Sequence, residues 1–161
     1  MQSPLRTPAQ IIVIGASAGG VDALRTVIGG LPRRLRACHL RCLAFGPEFA
    51  GPIGVDPSAR RPKENRFRPA VDPLFRSAAQ TFGPGVIGVI LSGGLDDGSA
   101  GLLTVKQQGG TAIVQDPATA LYPSMPQSAL SRVHVDHCVP AEDIAALLIR
   151  LAAGVVSENG S

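Results

Sequence analysis

A run of four β-branched residues that leads into a glycine-rich turn constrains the fold more than any other feature of this chain. Ile11–Ile14 predict a buried strand, and the segment Gly15–Gly20, of sequence Gly-Ala-Ser-Ala-Gly-Gly, predicts a tight turn. Apolar residues then recur at helical spacing, at Val21, Leu24 and Ile28. A strand, a sharp turn and a helix in this order favour a serine hydroxyl, that of Ser17, at the carboxyl edge of a sheet beside free backbone N–H groups.

Ser17 is therefore the first candidate functional residue, and its chemistry is open at this point. Its hydroxyl would act as an acyl-transfer nucleophile, with backbone N–H groups of the turn stabilising the oxyanion. Alternatively, the hydroxyl and the turn amides would bind a phosphate or a nucleotide, although the sequence lacks the spaced acidic residue of a dinucleotide fingerprint and the lysine of a P-loop. In a purely structural interpretation, the serine only caps the helix.

Strands and helices alternate along the rest of the chain. Candidate strands cover about 37–45, 86–91, 111–114 and 133–139. Helical spacing recurs between them and in the closing helix, at Ile144, Leu147, Leu148 and Leu151. This alternation predicts an α/β fold with a doubly wound, mostly parallel sheet that carries helices on both faces.

We expect a single domain over residues 11–153, between tails at 1–10 and 154–161. With 161 residues, 45% of them hydrophobic, the chain is long enough for one core. Residues 46–69 are rich in glycine, proline and charge, which predicts a long loop. Ser17 and Asp97 each follow a predicted buried strand, so we expect both at the carboxyl edge of the sheet, where open α/β folds bind ligands.

Composition argues against several kinds of partner and site. A net charge of +3 with one tyrosine and no tryptophan disfavours nucleic-acid binding. The sequence has no segment typical of a signal peptide or a membrane span, and its three cysteines are unpatterned, so we expect a cytoplasmic protein without membrane insertion. A candidate set of cysteines and histidines matches no standard zinc spacing; these residues are Cys38, His39, Cys42, His137 and Cys138. We therefore expect neither a metal nor a cofactor. The oligomeric state stays open.

Five segments of the sequence resemble the catalytic domain of the CheB-type chemotaxis protein-glutamate methylesterases. In chain order they read IIVIGASAGGVDAL, RPAVDPLFRSAA, GVILSGGLDDGSAGLL, GGTAIVQDPATALYPSMPQSAL and VDHCVP. The resemblance implies a Ser-His-Asp hydrolase that removes methyl groups from glutamate methyl esters and, in some members, deamidates glutamine. It implies no cofactor, and its partners would be methyl-accepting chemoreceptor helices or a similar methylated protein.

The resemblance also assigns residues to the expected chemistry. Ser17 matches the family's nucleophile and Asp97 its triad aspartate, and backbone N–H groups near Ala18 and Gly94 would form the oxyanion site. The family's histidine, however, matches Ala44. The family also has several dozen more residues after this point, so the fold would be truncated after the second strand, with the loop at 46–69 in place of a missing segment.

Three histidines could replace the missing base. His39 lies five residues before Ala44, roughly 16 Å along a strand and on its other face, so it would need a register slip. His134 and His137 follow Asp97 in the chain order of α/β-hydrolases, but their ordinary interpretation is structural. Two hypotheses follow from the resemblance: a methylesterase impaired by the loss of its histidine, or a non-catalytic relic that still binds receptors.

Overall fold

One parallel sheet of five strands forms the centre of the protein. The computed structural model describes residues 11–38, 40–44, 71–94 and 98–153. The strands are β1 (Ile11–Ala16), β2 (Leu40–Ala44), β3 (Val86–Ile90), β4 (Thr111–Gln115) and β5 (His137–Val139). They lie in the order β2-β1-β3-β4-β5, and all four neighbouring pairs are parallel. This order is that of a doubly wound α/β fold, and the predicted fold class is confirmed.

Helices cover both faces of the sheet. They are α1 (Val21–Gly29), α2 (Arg33–Cys38), α3 (Val71–Phe82), α4 (Ser99–Gln107), α5 (Ser124–Arg132) and α6 (Ala141–Ala152). Side chains of β1 alternate between the faces, as the period of two in a strand requires: Ile12 and Ile14 pack in the core beneath α1 and α6, and Val13 packs beneath α3, α4 and α5. Each such fully buried aliphatic side chain contributes about 1.5–3 kcal/mol to stability.

The second strand begins later than the sequence pattern predicts. Residues 37 and 38 end helix α2, and β2 covers only Leu40–Ala44. A six-residue helix with few apolar positions is too short to show a helical period, so pattern alone does not distinguish it from a strand. Of the predicted strand, His39 and Phe45 lie outside the described residues.

The last strand is also shorter than predicted, because residues 133–136 form other contacts. The Val133 N–H still bonds the carbonyl of Ala129 in α5, at 2.9 Å. The Asp136 carboxylate accepts the Ala112 N–H at 2.8 Å and pairs with Lys106 at 2.9 Å. The Asp136 N–H also donates to the Ala112 carbonyl at 3.0 Å, and the strand register with β4 begins at His137.

The predicted domain limits are not tested by the structure. The tails at 1–10 and 154–161 and the loop at 46–69 lie outside the described residues. In the ranges that the structure does describe, none of the helices is long and apolar enough to cross a membrane.

Candidate active site

The candidate site lies where the order of the strands reverses. From the neighbouring strands β1 and β3, the chain proceeds to β2 on one side and to β4 on the other. A crevice opens at such a switch point, outside the carboxyl ends of the two strands, and ligands of open α/β sheets bind there. Ser17 directly follows β1, and the segment Ser92–Gly94 follows β3 by one residue. The sequence-predicted hydroxyl therefore lies at the predicted edge.

The turn after β1 is tight because of close approach rather than backbone strain. Ser17 has φ −114° and ψ −170°, which is ordinary extended backbone. A Cβ at Gly20 would overlap the Ser92 carbonyl oxygen and lie 2.7 Å from the Ala16 Cβ, and a Cβ at Gly19 would overlap the Tyr122 ring. The glycines are needed for clearance between the two loops.

A hydrogen bond joins the two loops at the Ser17 hydroxyl. The Gly94 N–H donates to Ser17 Oγ at 3.0 Å, and the Ser17 N–H donates to the Ser92 carbonyl at 3.2 Å. Ser17 is half-buried and Gly94 is exposed. Because Oγ accepts the Gly94 N–H, the hydroxyl proton remains available to a base.

Gly94 faces open space. A Cβ built at this position meets no atom within 4 Å, and the residue is not among the described glycines with positive φ. The Gly94 N–H would bind a substrate carbonyl only if the carbonyl oxygen replaced Ser17 Oγ as its acceptor. This arrangement suits an oxyanion, since a preorganised N–H is aimed at the point where charge develops.

Apolar side chains lie exposed beside this site. Leu121 is 72% exposed and Tyr122 is 51% exposed, and both precede α5. The Tyr122 ring lies against Gly19, two residues after Ser17. The exposed Tyr122 ring thus provides apolar surface beside the Ser17 turn, and exposed apolar surface of this kind is available for burial by a partner.

The structure describes only some of the residues that the sequence assigned to the site. Ser17 and Gly94 are brought together, and Ala18 begins a 3-10 turn, Ala18–Gly20, directly after Ser17. Asp97 and His39 lie outside the described residues. Ala44, to which the sequence resemblance assigned the position of the family's histidine, ends β2 and pairs in register with Ala16.

The two remaining histidines are not close to Ser17. His134 precedes β5, and His137 pairs with Ile113, two residues before the carboxyl end of β4. Two strands, β3 and β4, separate β5 from β1, and the three strand spacings amount to about 14 Å. A direct hydrogen bond from either imidazole to Ser17 Oγ is therefore excluded in this arrangement.

The described residues contain no group of three histidine, cysteine or acidic side chains that could hold a metal ion. Cys138 is exposed and not disulfide-bonded. Partial burial of the thiol raises its pKa, and the Asp116 carboxylate raises it further. The protonated thiol is a poor metal ligand.

The sequence argument missed several residues that hold the site together. Ser92 and Gln115 are buried polar residues at the carboxyl ends of β3 and β4 and bond each other, Tyr122 bonds Ser92 from the segment before α5, and Met125 bonds Gly93 from the first turn of α5. The glutamine was a usable signal, because a polar residue that ends an apolar strand needs a buried partner. The partner itself is not readable from the sequence, since it lies 23 residues away.

Comparison with known proteins identifies the family. The sequence profile described as CheB methylesterase matches residues 39–148. The chain belongs to the CheB methylesterase family. A crystal structure of the Thermotoga maritima CheB methylesterase catalytic domain has a similar fold, with a TM-score of 0.71 and 26% identity over 90% of this chain and 100% of that domain.

Two relatives agree with this CheB assignment. A protein-glutamate methylesterase/protein-glutamine glutaminase of Xanthomonas campestris is 34% identical over 92% of this chain. A relative from Leptospira interrogans is 31% identical over 88% of this chain. The matches cover 53% of the Xanthomonas protein and 94% of the Leptospira protein. The family is one of carboxyl-ester hydrolases, which confirms the class of enzyme that the sequence resemblance implied.

Proposed function

We propose that this chain is a protein-glutamate methylesterase-type carboxyl-ester hydrolase, with Ser17 as nucleophile and with turnover reduced by the loss of the family's histidine. Family membership supports the reaction class. The observation that carries the assignment to Ser17 is the 3.0 Å hydrogen bond from the Gly94 N–H to Ser17 Oγ, at the switch point of the sheet.

In the proposed reaction, Ser17 Oγ attacks the carbonyl carbon of a glutamate methyl ester and the carbonyl oxygen becomes an oxyanion. The Gly94 N–H then donates its hydrogen bond to this oxyanion instead of to Oγ, and the Ala18 N–H is the second donor. The ester C–O bond then breaks, and methanol leaves with the proton that the serine gave up. Water cleaves the acyl-serine ester, which releases glutamate and restores the hydroxyl. An oxyanion donor of this kind accounts for about 10²–10³ in rate.

Asp97 is the proposed orienting acid, as the family resemblance assigns it. The family's base is replaced by Ala44, and His39 would act as the base only after a change in strand register. The identity of the base therefore stays a prediction. A serine hydrolase that lacks one triad member retains about 10³–10⁴ over the uncatalysed reaction, from the oxyanion site and binding. Slow turnover is therefore the expected state of this chain.

The proposed single domain covers residues 11–153, with a segment missing after β2. The match to the Leptospira relative runs over 182 residues, which exceeds the 161 residues of this chain. The relative therefore has residues within the matched span that this chain lacks, which supports a shortened fold with the loop at 46–69 in place of that segment.

The proposed partner is a methylated helix of a chemoreceptor or a similar methylated protein, met in the cytoplasm. The exposed side chains of Leu121 and Tyr122 beside the Ser17 turn would contact the apolar side of such a helix. No nucleic acid, membrane insertion or cofactor is part of the proposal.

A receptor-binding module without catalysis is the second candidate, and one observation favours it. Ala44 stands opposite Ala16 in the strand register, His137 lies on β5, which two strands separate from β1, and His134 precedes β5. A phosphate site is less favoured, because two of the turn's N–H groups are already bonded to backbone carbonyls. The Ser17 N–H donates to the Ser92 carbonyl at 3.2 Å, and the Gly20 N–H donates to the Ser17 carbonyl at 2.6 Å.

Release of methanol from a methylated receptor fragment tests the proposal. Wild type is expected to release methanol faster than Ser17→Ala, and Ser131→Ala, at an exposed hydroxyl on α5, is the matched control with wild-type rate. Equal rates for wild type and Ser17→Ala contradict the hydrolase. Binding of the fragment by both proteins, without hydrolysis by either, would establish the receptor-binding module instead.

A further inference from the structure

Ser92 is a buried polar residue beside the candidate site, and its N–H, carbonyl and hydroxyl groups all form hydrogen bonds. It is 1% exposed. Its carbonyl accepts the Ser17 N–H at 3.2 Å, and its N–H donates to Gln115 Oε1 at 3.0 Å. Its hydroxyl accepts the Tyr122 N–H at 2.9 Å and donates to the Tyr122 carbonyl at 3.3 Å. This one residue therefore joins the ends of β1 and β4 to the segment before α5.

The next residue, Gly93, is held to the same segment. Its N–H donates to the Tyr122 carbonyl at 3.0 Å, and its carbonyl accepts the Met125 N–H at 3.0 Å. Gln115 is itself fixed, because its amide nitrogen donates to the Thr119 carbonyl at 3.3 Å. The two residues before Gly94 thus have their backbone groups bonded on both sides.

The space around Gly93 leaves this loop little freedom to rotate. A Cβ at Gly93 would overlap Met125 Sδ and lie 2.6 Å from Ser17 Oγ. A small change in the orientation of the Ser92–Gly93 peptide would therefore move the loop against Ser17 or away from it. The Gly94 N–H belongs to the next peptide, Gly93–Gly94, whose carbonyl accepts the Met125 N–H at 3.0 Å, and its direction follows from how the preceding peptide is held.

We propose that Ser92 is the positioning residue of the Gly94 N–H donor, and that its hydroxyl, by bonding both backbone groups of Tyr122, holds this N–H in line with Ser17 Oγ. The hydroxyl itself touches neither Ser17 nor the substrate position. The catalytic consequence of this arrangement rests on the proposed function, whereas the orientation of the Gly94 N–H does not.

Amide hydrogen exchange of Gly94 and Gly93, measured by NMR on the full chain, tests the proposal directly. Ser92→Ala is expected to accelerate exchange at both amides by about threefold to tenfold, because a hydrogen-bonded anchor is lost. Ser92→Thr, which keeps the hydroxyl, is expected to stay within about twofold of wild type. Thr111→Ala, at a buried hydroxyl on the opposite end of β4, controls for general destabilisation and is expected to leave both amides unchanged.

Ester hydrolysis by the same variants gives a second readout. Ser92→Ala is expected to lower kcat with little change in KM, because the oxyanion donor acts in the transition state. Unchanged exchange at Gly94 in Ser92→Ala, or equal acceleration in Thr111→Ala, would overturn the positioning assignment. If Ser92→Ala alters the exchange but wild type hydrolyses no ester, the positioning of the Gly94 N–H by Ser92 is confirmed. That result would count only against the proposed hydrolase function.

Discussion

Ala44 pairs in register with Ala16, so the last residue of β2 lies beside the residue that directly precedes Ser17. Adjacent parallel strands are about 4.8 Å apart, which places the backbone of residue 44 beside the start of the Ser17 turn. The position that the family resemblance assigns to the base is thus next to the proposed nucleophile, even though it holds an alanine.

Ala44→His is predicted to restore a general base. Proton transfer by a positioned histidine contributes about 10²–10⁴ in rate, so the variant is expected to hydrolyse an activated ester about a hundredfold or more faster than wild type. Initial rates of ester hydrolysis measure the gain. Ala44→Asn is the control for a larger polar side chain without a base, and equal rates for the two variants would count against this placement of the base.

Two substitutions at Gly94 separate the donor from the space around it. Gly94→Ala keeps the N–H and places a Cβ where no atom lies within 4 Å, so near wild-type kcat is expected. Gly94→Pro removes the N–H that bonds Ser17 Oγ, and kcat is expected to fall by about 10²–10³. Similar kcat values for both variants would show that this N–H is not an oxyanion donor.

Alanine substitution at two glycines around α1 is predicted to have opposite effects on stability. A Cβ at Gly20 would overlap the Ser92 carbonyl, which forces a backbone shift and costs about 1–3 kcal/mol. A Cβ at Gly29 meets nothing within 4 Å, and the replacement of a helical glycine adds up to about 1 kcal/mol. Urea unfolding measures both changes, and a stable Gly20→Ala protein would show that the two loops are not in close contact.

Cys138 is predicted to react slowly with iodoacetamide for an exposed thiol. Partial burial and the Asp116 carboxylate raise the pKa of the thiol, so less of the reactive thiolate is present at a given pH. The alkylation rate is therefore expected to keep rising up to a higher pH than it does for an ordinary thiol. Asp116→Asn removes the negative charge and is expected to lower the pKa and accelerate alkylation. Peptide mapping by mass spectrometry distinguishes this cysteine from the others, and Glu142→Gln is the charge control. A slower alkylation of Asp116→Asn than of wild type would contradict this effect of the Asp116 charge.

The sequence pattern was most informative where apolar residues form long periodic runs. The strands around Ile14 and Val89 and the closing helix with Ile144 were predictable, because burial on both faces of the sheet requires continuous apolar residues. Pattern alone did not separate the short α2 from β2. Just before β5, the Asp136 side chain bonds to Ala112 and Lys106, and no local pattern indicates these contacts.

The edge of the sheet at which the candidate site lies was predictable, but the residues that support it were not. Ser17 and Gly94 follow strands that parallel topology brings to one edge, and their contact was foreseeable from that rule. The bonds of Ser92 to Gln115 and Tyr122 span 23 and 30 residues of sequence, so they depend on the strand order, which the pattern did not supply. The glycines were expected to permit a tight turn, and the contacts that require them, with Tyr122 and Ser92, come from segments distant in sequence.

Covalent labelling with a fluorophosphonate, mapped by mass spectrometry, tests the central claim most directly. A reactive serine beside an oxyanion donor displaces fluoride and keeps the phosphonate. The account predicts one adduct, on the peptide that contains Ser17, absent from Ser17→Ala and formed faster in Ala44→His. An adduct on a different serine, or equal labelling of native and urea-unfolded protein, would contradict the claim that Ser17 is an activated nucleophile.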